Sequence, residues 1–221
     1  MNKNVFKVNF TFSFKIGDKM ETQQKIEGFV KVKPIIIYPP CLKAGKKQDC
    51  YNCKISKCPS PRGWCVRFYH GHPKGCPNYG KYGLCPPNAP MFDEIFDMNK
   101  DIYLIYIAYD LGAHMDKMKK RHPNWSERQL RNVLYWQPAA KKMHRDKIKD
   151  FLDKYAYLGF EVSTPEALGV DVTKTLGEIG IYLDWPPQKY TYRIAFAGIP
   201  SPGKSIKKWE ENKHNKLTNI N

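Results

Sequence analysis

The chain has 221 residues, with 37 lysines and arginines against 21 aspartates and glutamates, a formal charge of +16. A hydrophobic fraction of 42% and an aromatic fraction of 14% suit a globular core and exclude disorder over most of the length, because disordered chains are poor in aromatics. No run of about 18 apolar residues is present, so no membrane-spanning helix is expected.

The start, Met1-Asn2-Lys3-Asn4-Val5-Phe6, alternates polar and apolar residues too early for a signal-peptide apolar core, and the cytoplasm is the expected compartment. The charge excess supports binding of nucleic acid, RNA in particular, or of another polyanion. A lysine- and asparagine-rich composition produces the same excess with no such partner.

In chain order, Phe6, Val8, Phe10, Phe12 and Phe14 fall on one face of segment 5–15, the period-two mark of a half-buried strand. Gly17-Asp18 predicts a turn, and Lys25 to Ile37 a second strand ending at Pro39-Pro40. Residues 1–40 therefore read as an antiparallel hairpin packed on the core. From 41 to 90 apolar periodicity disappears and all seven cysteines occur. A segment of about 50 residues without regular structure needs something else to order it, and metal coordination is the candidate.

Residues 91–200 read as the core of a single α/β domain, with mixed α+β as the alternative: a central sheet, flanking helices and the cysteine-rich segment as an insert. Met91–Met98 predicts a short helix and Asp101–Tyr109 a buried strand. Residues 113–122 predict a basic helix or loop. Ser126 and Gln129 form a capping box expected to open a long helix continued by Leu130, Val133 and Leu134, kinked or restarted at Pro138 and ended by Gly159. Phe160–Ser163 predicts a strand, Thr173–Glu178 a short helix, and Tyr190–Ala197 a core strand. Residues 201–221 form a lysine-rich tail expected to fray.

The cysteines run Cys41-x8-Cys50-x2-Cys53-x4-Cys58-x6-Cys65-x10-Cys76-x8-Cys85. Nothing directs the chain to an oxidising compartment, and an odd count leaves one thiol outside any disulfide set. Their neighbours are lysine, proline, glycine and asparagine, unlike the apolar surroundings of cysteines buried as small hydrophobes. All seven are therefore candidate metal ligands. Cys50-x2-Cys53 is the spacing of a zinc knuckle. The Cys58-Pro59, Cys76-Pro77 and Cys85-Pro86 pairs resemble cluster-binding loops. The readings are a [4Fe–4S] cluster, zinc, or one of each.

Seven divides into a closed four-cysteine site and a three-cysteine site, which leaves one iron open to substrate or is completed by His70 or His72. A solvated turn is the bland alternative for these histidines. Trp64 and Phe68 would shield a cluster from water or offer stacking platforms to unpaired bases.

Gly75-Cys76-Pro77-Asn78-Tyr79-Gly80-Lys81 followed by Cys85-Pro86-Pro87, with Thr164-Pro165-Glu166-Ala167-Leu168-Gly169-Val170-Asp171-Val172 downstream, resembles a family of predicted metal-binding proteins, domain of unknown function 2284. That family carries G-C-P-x-Y-G-K, then C-P-P, a short helix and a hydrophobic strand, and later P-S-M-E-A-x-G-I-D-V. The resemblance covers about half the chain and implies metal binding with no assigned reaction. It departs in one respect: the family's further cysteine group precedes the second motif, whereas this chain has no cysteine after Cys85 and carries Cys50, Cys53 and Cys58 upstream.

Tyr79, Lys81, Glu166 and Asp171, with His70 and His72, are candidates to hydrogen-bond the metal's ligands. Glu166 and Asp171 flank a glycine able to turn sharply, and Asp171 equally suits a helix cap. His114, His122 and His144 are expected to face solvent. No catalytic residue, phosphate loop or dinucleotide fingerprint is identified. The expected function is a metal-binding protein, a redox or sulfur-handling iron–sulfur enzyme acting on an anionic substrate. The alternatives are a zinc-stabilised nucleic-acid-binding module and an electron-transfer or metal-delivery protein.

Overall fold

The computed structural model describes residues 27–43, 58–68, 73–158 and 161–203. Strands β1 (Glu27–Val32), β2 (Ile102–Asp110), β3 (Glu161–Val162) and β4 (Tyr190–Gly198) form one sheet in the order β1-β2-β4-β3. Every described pair is antiparallel. Glu27 lies opposite Ile107, Ile102 opposite Gly198, and Val162 opposite Phe196. The helices are α1 (Pro40–Lys43), α2 (Phe92–Ile95), α3 (Leu111–Arg121), α4 (Glu127–Leu130), α5 (Val133–Lys154) and α6 (Val172–Gly177). The arrangement is the mixed α+β one. No helix among the described residues is long and apolar enough to cross a membrane.

β2 is a near-continuous apolar run because both its faces are covered. Leu104 and Tyr106 join Phe92, Phe96, Ile194 and Phe196 on one side, while Ile105 joins Phe151, Ile148 and Leu158 of α5 and the turn after it on the other. The small side chains of Ala195 and Ala197 belong to the α5 side, which lets the helix approach closely enough to bury Phe151 completely. Each fully buried Leu, Ile or Phe here contributes roughly 1.5–3 kcal/mol.

Strand 5–15 of the expected hairpin lies outside the described residues. The second predicted strand, 25–37, keeps its ladder only to Val32. Pro34 has no N–H to continue it. Beyond the proline the chain pairs elsewhere: Asp171 N–H donates to Ile35 O (2.7 Å) and Ile37 N–H to Gly169 O (2.8 Å). Gly169 has φ +88°, the turn expected of it.

Predicted helix 91–98 shortens to α2, and the basic stretch 113–122 is α3. The Ser126–Gln129 box forms, with Ser126 N–H donating to Gln129 Oε1 at 2.9 Å, but it opens only the single turn of α4. Asn132 then caps a separate helix by accepting the Leu134 N–H at 3.1 Å, so α5 starts there. It continues through Pro138, because a proline in the second turn forfeits one backbone hydrogen bond. It ends at Lys154, five residues before Gly159, which lies outside the described residues.

Candidate metal centre and adjoining basic cleft

Among the described residues the cysteine segment has little regular structure and is tied together by backbone bonds. A 3₁₀ helix, Pro61–Val66, carries Cys65, with proline at its first position. Cys58 lies just before it, its carbonyl accepting from Arg67 Nη2 at 2.9 Å. The side chain of Cys58 packs on Gly63, where an added Cβ would lie 2.8 Å from its Cβ and 3.2 Å from its Sγ. Cys76 N–H donates to Cys65 O at 2.6 Å, joining two cysteines distant in sequence. From Cys76 the chain doubles back: Gly80 N–H donates to Pro86 O (2.8 Å), and Asn88 and Ala89 both donate to Cys85 O (3.0 Å).

Arg62 holds these turns to the core. It is 1% exposed and donates through Nη1 to Pro90 O (2.7 Å) and through Nη2 to Ala89 O (2.6 Å). Its guanidinium thus supplies the carbonyls of a proline-rich turn with donors that proline itself lacks. Sequence reasoning missed this residue, since one arginine among 37 basic residues carries no local mark of burial.

Cys41, Cys58, Cys65, Cys76 and Cys85 are each partly buried. Burial raises the Cys85 pKa, the neighbouring Cys76 raises it further, and a backbone hydrogen bond at Tyr82 opposes both. Cys76 and Cys85 are therefore within electrostatic reach of one another. Cys41 sits in α1, whose Leu42 lines a cavity of about 560 Å³ with Arg62 and Pro87. Cys50, Cys53, His70 and His72 lie outside the described residues. Among the described residues no three Cys, His, Asp or Glu side chains converge as metal ligands.

The other candidates separate. Tyr79 is partly buried, with its N–H bonded to Cys76 O at 3.1 Å, and the Lys81 side chain is exposed. Asp171 caps α6, accepting the Lys174 N–H at 3.0 Å. Phe68 is 74% exposed. Trp64 and Glu166 line a small pocket of about 130 Å³ together with Trp185 and Tyr192. Burial raises the Glu166 pKa, against an opposing backbone hydrogen bond and the charge of Arg193. His144, expected to face solvent, is 3% exposed, because α5 turns that face toward the cysteine turns. His114 is partly buried beside Tyr109, and His122 stacks on Trp125 at 4.0 Å.

A concavity of about 1000 Å³ lies between α5 and the cysteine turns. Lys141, Arg145 and Lys149 line it at four-residue spacing, on one face of α5. Arg193 enters from β4, Tyr82 and Cys85 from the cysteine segment, and His144 also lines it. Asp153 is the one carboxylate among the described lining residues. Burial lowers the Arg193 pKa, the nearby Arg145 lowers it further, and Glu166 opposes. Sequence reading left this cleft unseen; the i, i+4, i+8 cations on α5 were its only local signal.

Protein-family models, curated proteins and solved structures yield no match to this chain.

Proposed function

We propose that the cysteines hold a metal centre, in first place a [4Fe–4S] cluster, and that the protein is a redox or sulfur-handling enzyme of the cytoplasm acting on an anionic substrate. The observation that carries this reading is the position of Cys85 on the wall of a cleft lined by four cationic side chains. A cysteine on the wall of a positively charged cavity suits a metal site that must meet a negatively charged partner.

Thiolates are the right chemistry for the group, and the support is the donor type rather than a converged set, since among the described residues no three such side chains meet. Cys58, Cys65, Cys76 and Cys85 belong to turns joined by the Cys65–Cys76 backbone bond and the Arg62 clamp, and Cys41, Cys50 and Cys53 complete the candidates. Thiolates bind both iron–sulfur clusters and zinc. When bound, a cluster with an open iron would supply electron transfer or a binding position for sulfur. The chain's own residues orient the turns, and the cations of the cleft attract and hold the substrate. The family resemblance of the Gly75–Lys81 and Thr164–Val172 segments points to metal in the same way.

Anaerobic purification followed by measurement of iron, acid-labile sulfide and zinc tests the reading. About four iron and four sulfide per chain, with broad absorption near 400 nm, are expected of a [4Fe–4S] cluster; a colourless protein without iron overturns it. The same cleft favours a second reading, a zinc-stabilised module that binds RNA through its phosphates. One or two zinc per chain, with RNA affinity falling steeply as salt rises, would select it.

A further inference from the structure

We infer that Arg145 and Arg193, flanked by Lys141 and Lys149, form the binding site for a phosphoryl group on the substrate. The inference rests on reading the cleft beside Cys85 as the substrate site, and it names the anion that site takes.

The first argument is the distribution of ion pairs along α5. Lys142 pairs with Asp146 at 2.8 Å and Lys147 with Glu27 at 2.7 Å. The cations that face the cleft are different: among the described residues no carboxylate lies within ion-pair distance of Lys141, Arg145, Lys149 or Arg193. Asp146, held by Lys142, meets Arg145 and Lys149 only as a longer-range charge. A composition rich in lysine explains a positive surface. It does not explain why Lys142 and Lys147, the ion-paired cations of α5, stay out of the cavity while Lys141, Arg145 and Lys149 line it.

The second argument is Arg193 itself. Its Nε is buried with no hydrogen-bond acceptor among the described residues. Burial disfavours its charged form, and Arg145 acts on it as a nearby like charge. The carboxylate that offsets it, Glu166, is pushed toward its neutral form by burial. A partly buried guanidinium with an unfilled donor, beside a second and exposed one, is stabilised by an anion that meets both.

A phosphoryl group meets these demands best. It carries up to two charges and three acceptor oxygens, and guanidinium forks bind it in pairs of parallel hydrogen bonds. The cleft, at about 1000 Å³, is far larger than one phosphate, so it has room for the organic body of a phosphate ester. The wall that this body would meet contains Cys85 and His144. The ester is either a free small molecule or one residue of an RNA strand.

The test is a calorimetric titration of the full chain with inorganic phosphate, a nucleoside monophosphate and a ten-nucleotide RNA. Arg145→Gln lies on the exposed face of α5 and keeps the fold. Arg193→Met is the second variant, with folding checked by circular dichroism, and Lys120→Gln on α3 is the control. Saturable binding of at least one probe is expected, weakened about tenfold by Arg145→Gln and unchanged by Lys120→Gln. A strand as the source makes the RNA bind at least a hundredfold tighter than the monophosphate; a small ester makes the monophosphate bind as tightly as the RNA. No saturable binding of any probe, or equal weakening by Arg145→Gln and Lys120→Gln, overturns the inference. Metal and sulfide are measured on the same preparations. Metal retained with phosphate binding absent sinks this inference alone; phosphate binding retained with metal absent sinks the metal reading alone.

Discussion

The backbone N–H of Cys76 donates to the carbonyl of Cys65 at 2.6 Å, and the residue that permits this approach is Gly75. Gly75 has φ +82°, and a Cβ there would lie 2.4 Å from Cys65 O. Gly75→Ala is therefore expected to separate the two cysteines, at a cost of about 1–3 kcal/mol for the strained backbone. Gly177→Ala, where a Cβ meets nothing within 4 Å, should be neutral or slightly stabilising. Urea unfolding of both variants, with their metal content, checks the pair. Full metal loading in Gly75→Ala would show that the Cys65–Cys76 contact does not organise the site.

Arg62 should resist even conservative replacement. Arg62→Met strips donors from the Ala89 and Pro90 carbonyls in a buried setting, and a loss of about 2–4 kcal/mol is expected. Arg62→Lys should recover little of it, because an ammonium does not reproduce the planar fork that reaches both carbonyls. Denaturation midpoints of the two variants decide this; a lysine variant as stable as the parent contradicts the clamp.

The docking of α5 on the sheet is tested at Phe151, which is fully buried. Phe151→Ala is expected to cost about 3–5 kcal/mol through lost transfer energy and a residual cavity. Leu134→Ala, on the same helix but 76% exposed, should change stability by less than about 0.5 kcal/mol. Thermal unfolding of the two variants measures the contrast.

Alkaline pH should reveal Tyr38. Its pKa is raised to about 12 by burial, with the hydrogen bond to Asp93 and the charges of Asp93 and Glu94 adding to it. A raised folded-state pKa favours the protonated folded form. The stabilisation is complete below the unfolded value near 10 and is lost as pH rises toward 12. Two pKa units correspond to about 2.7 kcal/mol, reduced to about 1 kcal/mol by solvent around this partly exposed ring. Urea midpoints at pH 9 and pH 11 should fall less for Tyr38→Phe than for the parent chain. Tyr103, Tyr106 and Tyr109, also raised, affect both proteins alike.

Removal of the proposed metal should act locally. Chelation is expected to open the 58–90 turns to protease while the far-ultraviolet circular dichroism of the sheet and α5 stays unchanged. The core clusters around β2 and β4 are built from residues outside those turns, apart from Leu84 and Ala89. Loss of the whole fold on chelation would mean that the cysteine turns and the sheet unfold as one unit.

The elements legible from sequence were those whose cause is local. The apolar density of Asp101–Tyr109 and Tyr190–Ala197 marked β2 and β4, because a strand covered on both faces must be apolar at nearly every position. Asp171 as a cap and the Ser126–Gln129 box followed from side chains reaching backbone groups only three residues away. Cysteines beside proline and lysine marked a segment that no apolar core could order. Tertiary structure alone decided which distant residues meet. Ile35 and Ile37 leave the sheet to pair with Asp171 and Gly169, Arg62 sinks beneath the Cys85-Pro86-Pro87 turn, His144 turns inward, and Arg145 comes to face Arg193. Each of these depends on where elements separated along the chain come to lie in space, and residues so far apart carry no periodicity or spacing that records their meeting.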